Sequence, residues 1–182
     1  MDYNGSNNRK RSFHMNTISV ILGNVCSLLA MVTDSVSATR KTAKGVLLMQ
    51  SLSQLIYCTG TILLKGYSGA VQNLVSILRN FVAIRKISSP IVEWILVLLG
   101  VALGILFNNL GLIGWLPVVA NLQYTLAVFK FKDNERALKI SFAICIGMFM
   151  IFNFAIFNFV GVISNFVVML TTLIMLFKKS AV

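Results

Sequence analysis

Charged residues are scarce in this chain of 182 residues: they make up 12% of it, and only five are acidic. A soluble domain carries about a quarter of its residues as charged ones, whereas 57% of this chain is hydrophobic and its mean hydropathy is +0.84. Apolar runs of roughly 18 to 20 residues recur along it, long enough for membrane-spanning helices. The composition predicts an integral membrane protein and excludes a soluble enzyme, a secreted disulfide scaffold and a disordered region.

The residues that build metal and acid–base sites are also few. The chain has one histidine, and its three cysteines are odd in number, lack metal-ligand spacing and lie inside apolar segments (Cys26, Cys58 and Cys145). Such a composition supplies neither a nucleophile–base set nor a metal cluster. We therefore expect no enzymatic activity, no catalytic residue, no metal and no cofactor.

Seven apolar segments follow a polar, basic N-terminal tail. Each must be helical in lipid, because the hydrocarbon core offers no partner for backbone N–H and C=O groups. The sequence therefore predicts an all-α membrane protein with seven transmembrane helices. The predicted order is a tail at 1–15, helices at 16–33, 44–64, 67–84, 90–107, 111–129, 137–157 and 159–177, and a C-terminal tail at 178–182.

Two of the connections between helices are very short. Lys65-Gly66 joins the second and third segments, and Phe157-Asn158 joins the sixth and seventh. Gly and Asn are the residues that best tolerate the positive φ of a helix end. We therefore expect two tight helical hairpins, with Gly66 and Asn158 in that conformation.

A shift of 92 residues places the second and third segments on the sixth and seventh. We interpret this match as two three-helix repeats, at 16–84 and 111–177, joined by a linker helix at 90–107. Three helices end on the side opposite their start and the linker restores the orientation, so the repeats are predicted to be parallel, related by an axis along the membrane normal. The matched pairs are Gly69 with Gly161, Asn73 with Asn165, Arg40 with Lys132, Lys44 with Arg136 and Lys86 with Lys178, while a shift of 97 pairs Asn24 with Asn121.

The fourth segment differs from the others because it has no polar stripe beyond Glu93 at its start. It carries Gly100-xxx-Gly104 instead, a pattern that lets helices in membranes pack closely. We interpret it as a peripheral linker and as a ground for expecting a homo-oligomer, a dimer or a trimer.

The distribution of basic residues predicts the orientation. With the N-terminus outside, four basic residues face outward (Arg9, Lys10, Arg11 and Lys65). Eleven then lie on the cytoplasmic side, and the positive-inside rule therefore favours an outside N-terminus and a cytoplasmic C-terminus. The eleven are Arg40, Lys41, Lys44, Arg85, Lys86, Lys130, Lys132, Arg136, Lys139, Lys178 and Lys179.

Polar residues recur at helical spacing inside the segments, and a buried amide without a partner costs roughly 2–7 kcal/mol, so they should face the bundle interior. Asn73 and Asn165 lie near the middle of their segments and therefore near the bilayer midplane. Transporters built from two parallel repeats bind their substrate at that depth, at the interface between the repeats. The alternative is that such amides only join helices. The candidate substrate-binding residues are Asn73, Asn165, Gln54, Gln50, Asn121, Tyr124, Asn24 and Asn153.

Arg79 stands about two turns inside its segment. It either extends to the cytoplasmic interface or receives an anionic group at the cytoplasmic mouth. We assign it, with Asn80 and Phe149, to a gate or mouth. No acidic residue lies near the midplane, which favours a uniporter over a proton- or sodium-coupled carrier.

The plan of three helices, a linker and three helices resembles the SWEET, PQ-loop and PnuC superfamily, in which an Asn on the third helix of each repeat lines the substrate site. Asn73 and Asn165 occupy those places, and Pro117 resembles the proline of a PQ-loop repeat. The phrase GAVQNLVSILRN, from Gly69 to Asn80, with the basic loop before the second segment, looks most like the bacterial YgjV-type inner membrane proteins. This resemblance implies a multi-pass protein of the bacterial plasma (inner) membrane that forms a homo-oligomer.

We expect a facilitator that moves a small, mostly uncharged, hydroxyl-bearing solute by alternating access. A sugar, a nucleoside and a vitamin precursor are candidates. The alternative is a seven-helix receptor or partner subunit that binds a ligand without net transport. The expected partners are the solute and the lipid bilayer rather than nucleic acid, because the net charge of +11 falls between apolar segments, where it meets anionic headgroups.

Overall fold

The computed structural model describes residues 16–38, 43–85, 87, 89–131 and 135–178. These residues form seven α-helices and no strand, as the sequence predicts. The tail at 1–15, the basic loop residues Arg40, Lys41, Lys86, Lys132 and Lys179, and the last residues of the C-terminal tail lie outside the described residues. The helices are α1 (Thr17–Ala38), α2 (Ala43–Leu63), α3 (Tyr67–Ile84), α4 (Pro90–Leu106), α5 (Trp115–Lys130), α6 (Glu135–Ala155) and α7 (Phe159–Lys178).

Helix α5 begins four residues later than the sequence pattern predicts. Gly111 has a φ of +60°, a left-handed conformation that ends any helix running through it. The Asn108 amide then bonds within the loop, donating to the Gly111 carbonyl and accepting from the Leu110 N–H. Pro117 falls in the first turn of α5, where its missing N–H removes no helical hydrogen bond.

The helices form a closed ring in which each packs against the next along the chain, and α7 returns to α1. Helices α3 and α5 also contact each other directly, and α4 covers that contact from outside. The buried side of α4 consists of Leu96, Val97, Gly100 and Gly104. The peripheral placement of the fourth helix therefore agrees with its lack of a polar stripe.

The two tight hairpins are present, but the positive φ lies one residue earlier than expected. Lys65 has φ of 56° and Phe157 has φ of 59°. In the first turn the Gly66 N–H donates to the Thr61 carbonyl and the Lys65 N–H to the Ile62 carbonyl, which is a Schellman motif. The second turn has the same pattern 92 residues later: Asn158 to Asn153, and Phe157 to Phe154.

Gly66 and Asn158 therefore serve purposes other than a left-handed backbone. A Cβ on Gly66 would lie 2.9 Å from the Thr61 methyl and 3.0 Å from Cζ of Phe152, so the absence of a side chain allows close packing. Asn158 caps α7, because its Oδ1 accepts a hydrogen bond of 3.0 Å from the Gly161 N–H.

The hydrophobic core lies where these two turns meet. Leu64, Phe152 and Ile156 are each no more than 1% exposed, and Val20, Leu110 and Leu116 pack around them. The Phe152 ring also covers Gly69, where a Cβ would lie 2.5 Å from its Cε1. The core thus joins the α2–α3 hairpin to the α6–α7 hairpin at one end of the ring.

The outer surface of the bundle is apolar, whereas many polar side chains lie in its interior. Large hydrophobic residues are exposed on all seven helices; Leu98 on α4 and Phe154 on α6 are 64% and 65% exposed. Ser53, Ser68, Gln72 and Asn158 are at most 1% exposed. Within the described residues, none of the helices meets both the length and the hydrophobicity required of a membrane-crossing segment.

We predict that Gly69→Ala destabilises the protein. The new Cβ overlaps the Phe152 ring, and overpacking of this kind costs about 1–3 kcal/mol. The melting temperature of the purified protein in detergent should fall.

The matched control is Gly147→Ala on α6, where the nearest atom to an added Cβ is 3.9 Å away; its melting temperature should not fall. Phe152→Leu removes the ring atoms that the methyl group of Gly69→Ala would contact. The variant that combines both substitutions should therefore lose less stability than the sum of the losses in the two single variants. Strict additivity of the two losses would contradict this packing.

Candidate functional site

A cavity of about 210 Å³ lies inside the ring, lined by residues of α2, α3, α5, α6 and α7. Thr61, Phe152 and Asn153 close it at the end where the tight turns lie. Gln54, Arg79 and Phe142 line its other end. Eight of the eleven residues predicted for a site line it: Gln54, Asn73, Arg79, Asn121, Tyr124, Phe149, Asn153 and Asn165.

Asn73 and Asn165 are half-buried and face the cavity from opposite helices, α3 and α7. Neither side chain forms a hydrogen bond with another of the residues that the structure describes. Each amide offers two N–H donors and one carbonyl acceptor. Together with Gln54 they place neutral hydrogen-bonding groups on the cavity wall.

Asn24, by contrast, lies outside the cavity and joins two helices. Its Nδ2 donates to the carbonyls of Val20 and Phe157 at 2.9 Å, and its Oδ1 accepts from the Val160 N–H at 3.0 Å. Two of these bonds hold α1 against the α6–α7 turn and the start of α7, and Asn24 is not among the residues that line the cavity.

Gln50 and Asn80 are likewise not among the lining residues. Gln50 is exposed and precedes Gln54 by one turn, about 6 Å along α2, so it lies beyond the end of the cavity. Asn80 is buried, and its Nδ2 lies 3.5 Å from the Ser51 hydroxyl on α2. The helical period placed both residues near the correct face, but the length of the cavity excludes them.

The contact between α3 and α5 depends on Gln72, which the sequence pattern did not single out. Its Oε1 accepts from the Asn121 amide at 2.8 Å, and its Nε2 donates to the Gly100 carbonyl at 2.7 Å. One buried side chain therefore ties α3 to α5 and to α4. Gln72 directly precedes Asn73, and the sequence gives no sign of which helix either amide will meet.

The Gly100-xxx-Gly104 pattern is used within the chain. The Gly104 position leaves room for the Val118 side chain of α5 and for Gln72, and a Cβ on Gly100 would lie 3.5 Å from Val75 of α3. Since α3 and α5 already cover this face, it is not available to a second copy. The expectation of a homo-oligomer therefore rests only on the family resemblance.

One wall of the cavity is aromatic and carries the Arg79 guanidinium. Cζ of Arg79 lies 5.8 Å from the centre of the Tyr124 ring, within the range of a cation–π interaction. Tyr124 in turn packs against Phe142, with their ring centres 5.3 Å apart. The described part of the chain holds no group of His, Cys, Asp or Glu that could bind a metal ion.

A family model for bacterial inner membrane proteins, Imp-YgjV, matches residues 21–181. The chain belongs to this family. The YgjV-type resemblance is therefore confirmed, and the family places the chain among bacterial inner membrane proteins. No curated protein and no solved structure matches the chain.

We predict that Asn24→Ala and Asn73→Ala differ in their effect on stability. The first removes the hydrogen bonds to the Phe157 carbonyl and from the Val160 N–H, each worth about 0.5–1.5 kcal/mol, so the melting temperature should fall. The second removes an amide that bonds to no described residue and should change the melting temperature little. A larger fall for Asn73→Ala than for Asn24→Ala would contradict the assignment of these amides.

Proposed function

We propose that this protein is a multi-pass carrier of the bacterial inner membrane that moves a small, mostly uncharged, hydroxyl-bearing solute through its central cavity. The observation that carries the proposal is a polar cavity inside a bundle whose exterior is apolar. Two of its lining amides, Asn73 and Asn165, bond to no other residue that the structure describes. A sugar, a nucleoside or a vitamin precursor has the hydroxyls that such amides bind. The chain would be a facilitator and not an enzyme.

The proposed membrane position of the bundle is supported by its surface. Large apolar side chains are exposed on every helix, including Leu22, Leu52, Leu98 and Phe154. Contiguous apolar surface of this kind is typical of a face that meets lipid or another apolar partner. Because the chain belongs to a family of inner membrane proteins, we propose that lipid is the partner of this surface.

A 3+1+3 arrangement of two parallel repeats is supported by equivalent contacts. The contact between α3 and α5 has its counterpart in the contact between α7 and α1. Asn121 forms a hydrogen bond across the α3–α5 contact, and Asn24 forms one between α1 and the turn before α7. These are the two residues that the shift of 97 positions pairs. The two Schellman turns are also 92 residues apart. In this arrangement, which is that of SWEET-like carriers, α4 is the linker.

Alternating access in such a fold requires the two three-helix units to move against each other. The cavity is closed on the side of the tight turns by the core around Phe152. With the N-terminus outside, that side faces the periplasm. We propose that separation of the α2–α3 and α6–α7 turns opens it there.

The transport proposal is tested with purified protein in proteoliposomes. Entry of radiolabelled ribose, glucose, uridine or gluconate should exceed entry into protein-free vesicles for at least one solute. Asn73→Ala and Asn165→Ala should each weaken binding of that solute about tenfold, because each loses two or three hydrogen bonds worth roughly 0.5–1.5 kcal/mol apiece. Affinity is measured by isothermal titration calorimetry.

Asn24→Ala is the matched control, since it is the same substitution outside the cavity; it should leave the affinity unchanged. Unchanged affinity in both cavity variants would contradict the site. Binding without flux would instead favour the seven-helix receptor or partner subunit.

The orientation is tested with reporters fused after the last residue. A C-terminal green fluorescent protein should fluoresce and a C-terminal alkaline phosphatase should be inactive, because the excess of basic residues holds this end in the cytoplasm. Active phosphatase would contradict the orientation.

A further inference from the structure

Among the described residues that line the cavity, one is positively charged and none is acidic. That charge is Arg79 on α3; the other lining side chains are neutral. An arginine remains charged in proteins, and a charge removed from water without an ionic partner is costly. The Tyr124 ring attracts the guanidinium, but none of the described residues that line the cavity offers a negative charge to compensate it.

The charge has no counterpart on the opposite side of the ring. The residue 92 positions after Arg79 is Thr171, which is exposed and whose hydroxyl donates to the Val167 carbonyl at 2.8 Å. The amides Asn73 and Asn165 are matched at this spacing, and the cation is not. The cavity therefore has a neutral region on both sides and a cationic region on one.

We infer that the solute carries one oxyanion, a carboxylate or a phosphate, which the Arg79 guanidinium receives while Asn73 and Asn165 bind the neutral, hydroxylated part. This rests on the proposed function, since it takes the cavity to be the solute site. Arg79 follows Asn73 by six residues, about 9 Å along α3, a spacing that suits a molecule the size of a sugar acid or sugar phosphate. A guanidinium is the side chain best suited to hold such an anion with two parallel hydrogen bonds.

The placement of Arg79 supports this assignment. Its guanidinium lies over the Tyr124 ring, and Tyr124 is itself held against Phe142. Such stacking orients the guanidinium on the cavity wall and reduces the ordering required when an anion binds. Arg85, six residues further along the chain, lies beside Phe81 in the same manner but is exposed and outside the cavity.

The test compares probes that differ only in their charged group. Detergent-solubilised protein is titrated with gluconate against sorbitol, and with glycerol 3-phosphate against glycerol, and the melting temperature is followed. At least one anionic probe should stabilise the protein more than its neutral partner does. Arg79→Gln should abolish that difference, with about a ten- to hundredfold loss of affinity for the anion, as expected when a charge-assisted hydrogen bond is lost.

Two further variants make the result specific. Arg79→Lys keeps the charge and should retain part of the preference for the anion. Arg85→Gln makes the same change in net charge outside the cavity and should retain all of it. Without any probe, Arg79→Gln should melt at the same or a higher temperature than the wild type, because an uncompensated cation has been removed; a marked fall would assign Arg79 to the fold and overturn the inference.

The remaining outcomes also decide the question. Equal stabilisation by the neutral probes, absence of any anionic effect, or an anion preference that survives Arg79→Gln would each overturn it. Stabilisation that depends on Arg79 but occurs only with added phosphatidylglycerol would show that the guanidinium binds a lipid headgroup. That result would overturn the inference that it binds the oxyanion of the solute. Because binding is measured in detergent, a protein that binds the anion without flux in proteoliposomes contradicts transport and leaves this inference standing.

Discussion

The packing of the Phe152 ring on two glycines is the contact on which the arrangement of this ring of helices depends. Gly66 and Gly69 have no side chains, so the ring of Phe152 approaches the backbone of the α2–α3 hairpin closely. Because Phe152 belongs to the α6–α7 hairpin, this contact joins the two hairpins. It also forms the closed end of the cavity, so the same residue determines the fold and one boundary of the site.

The amides of the bundle divide into two groups according to their partners. Asn24, Gln72, Asn121 and Asn158 make hydrogen bonds that hold helices or turns together. Asn73 and Asn165 bond to no other described residue and line the cavity. Both are half-buried, so their amide groups are available on the cavity wall to water or to a solute.

The charge of the cavity is distributed asymmetrically. The neutral groups come from both halves of the ring, whereas Arg79 comes from one half. A solute that contacts all of them would therefore bind in one orientation, with its charged end at Arg79. This polarity would orient the solute with respect to the two ends of the ring.

The sequence alone determined the seven helices to within a few residues and the two tight hairpins. It also identified the polar faces that reach the cavity through Gln54, Asn73, Asn121 and Asn165. These features follow from local causes: hydrophobic run length, the helical period and the conformational preferences of turn residues. The family could be recognised for a similar reason, since its signature is a continuous stretch of chain.

Only the tertiary structure decided which polar side chains have partners and where the cavity ends. Asn24 and Asn73 look alike in the sequence, yet Asn24 meets the backbone of α7 and Asn73 meets open space. Gln50 and Gln54 share a helix face, and only Gln54 lies within the length of the cavity. Gly100 and Gly104 suggested contact with a second copy, whereas Gln72 and Val118 of the same chain occupy them. Each of these outcomes depends on a neighbour distant in the chain, and the local pattern of residues carries no information about that neighbour.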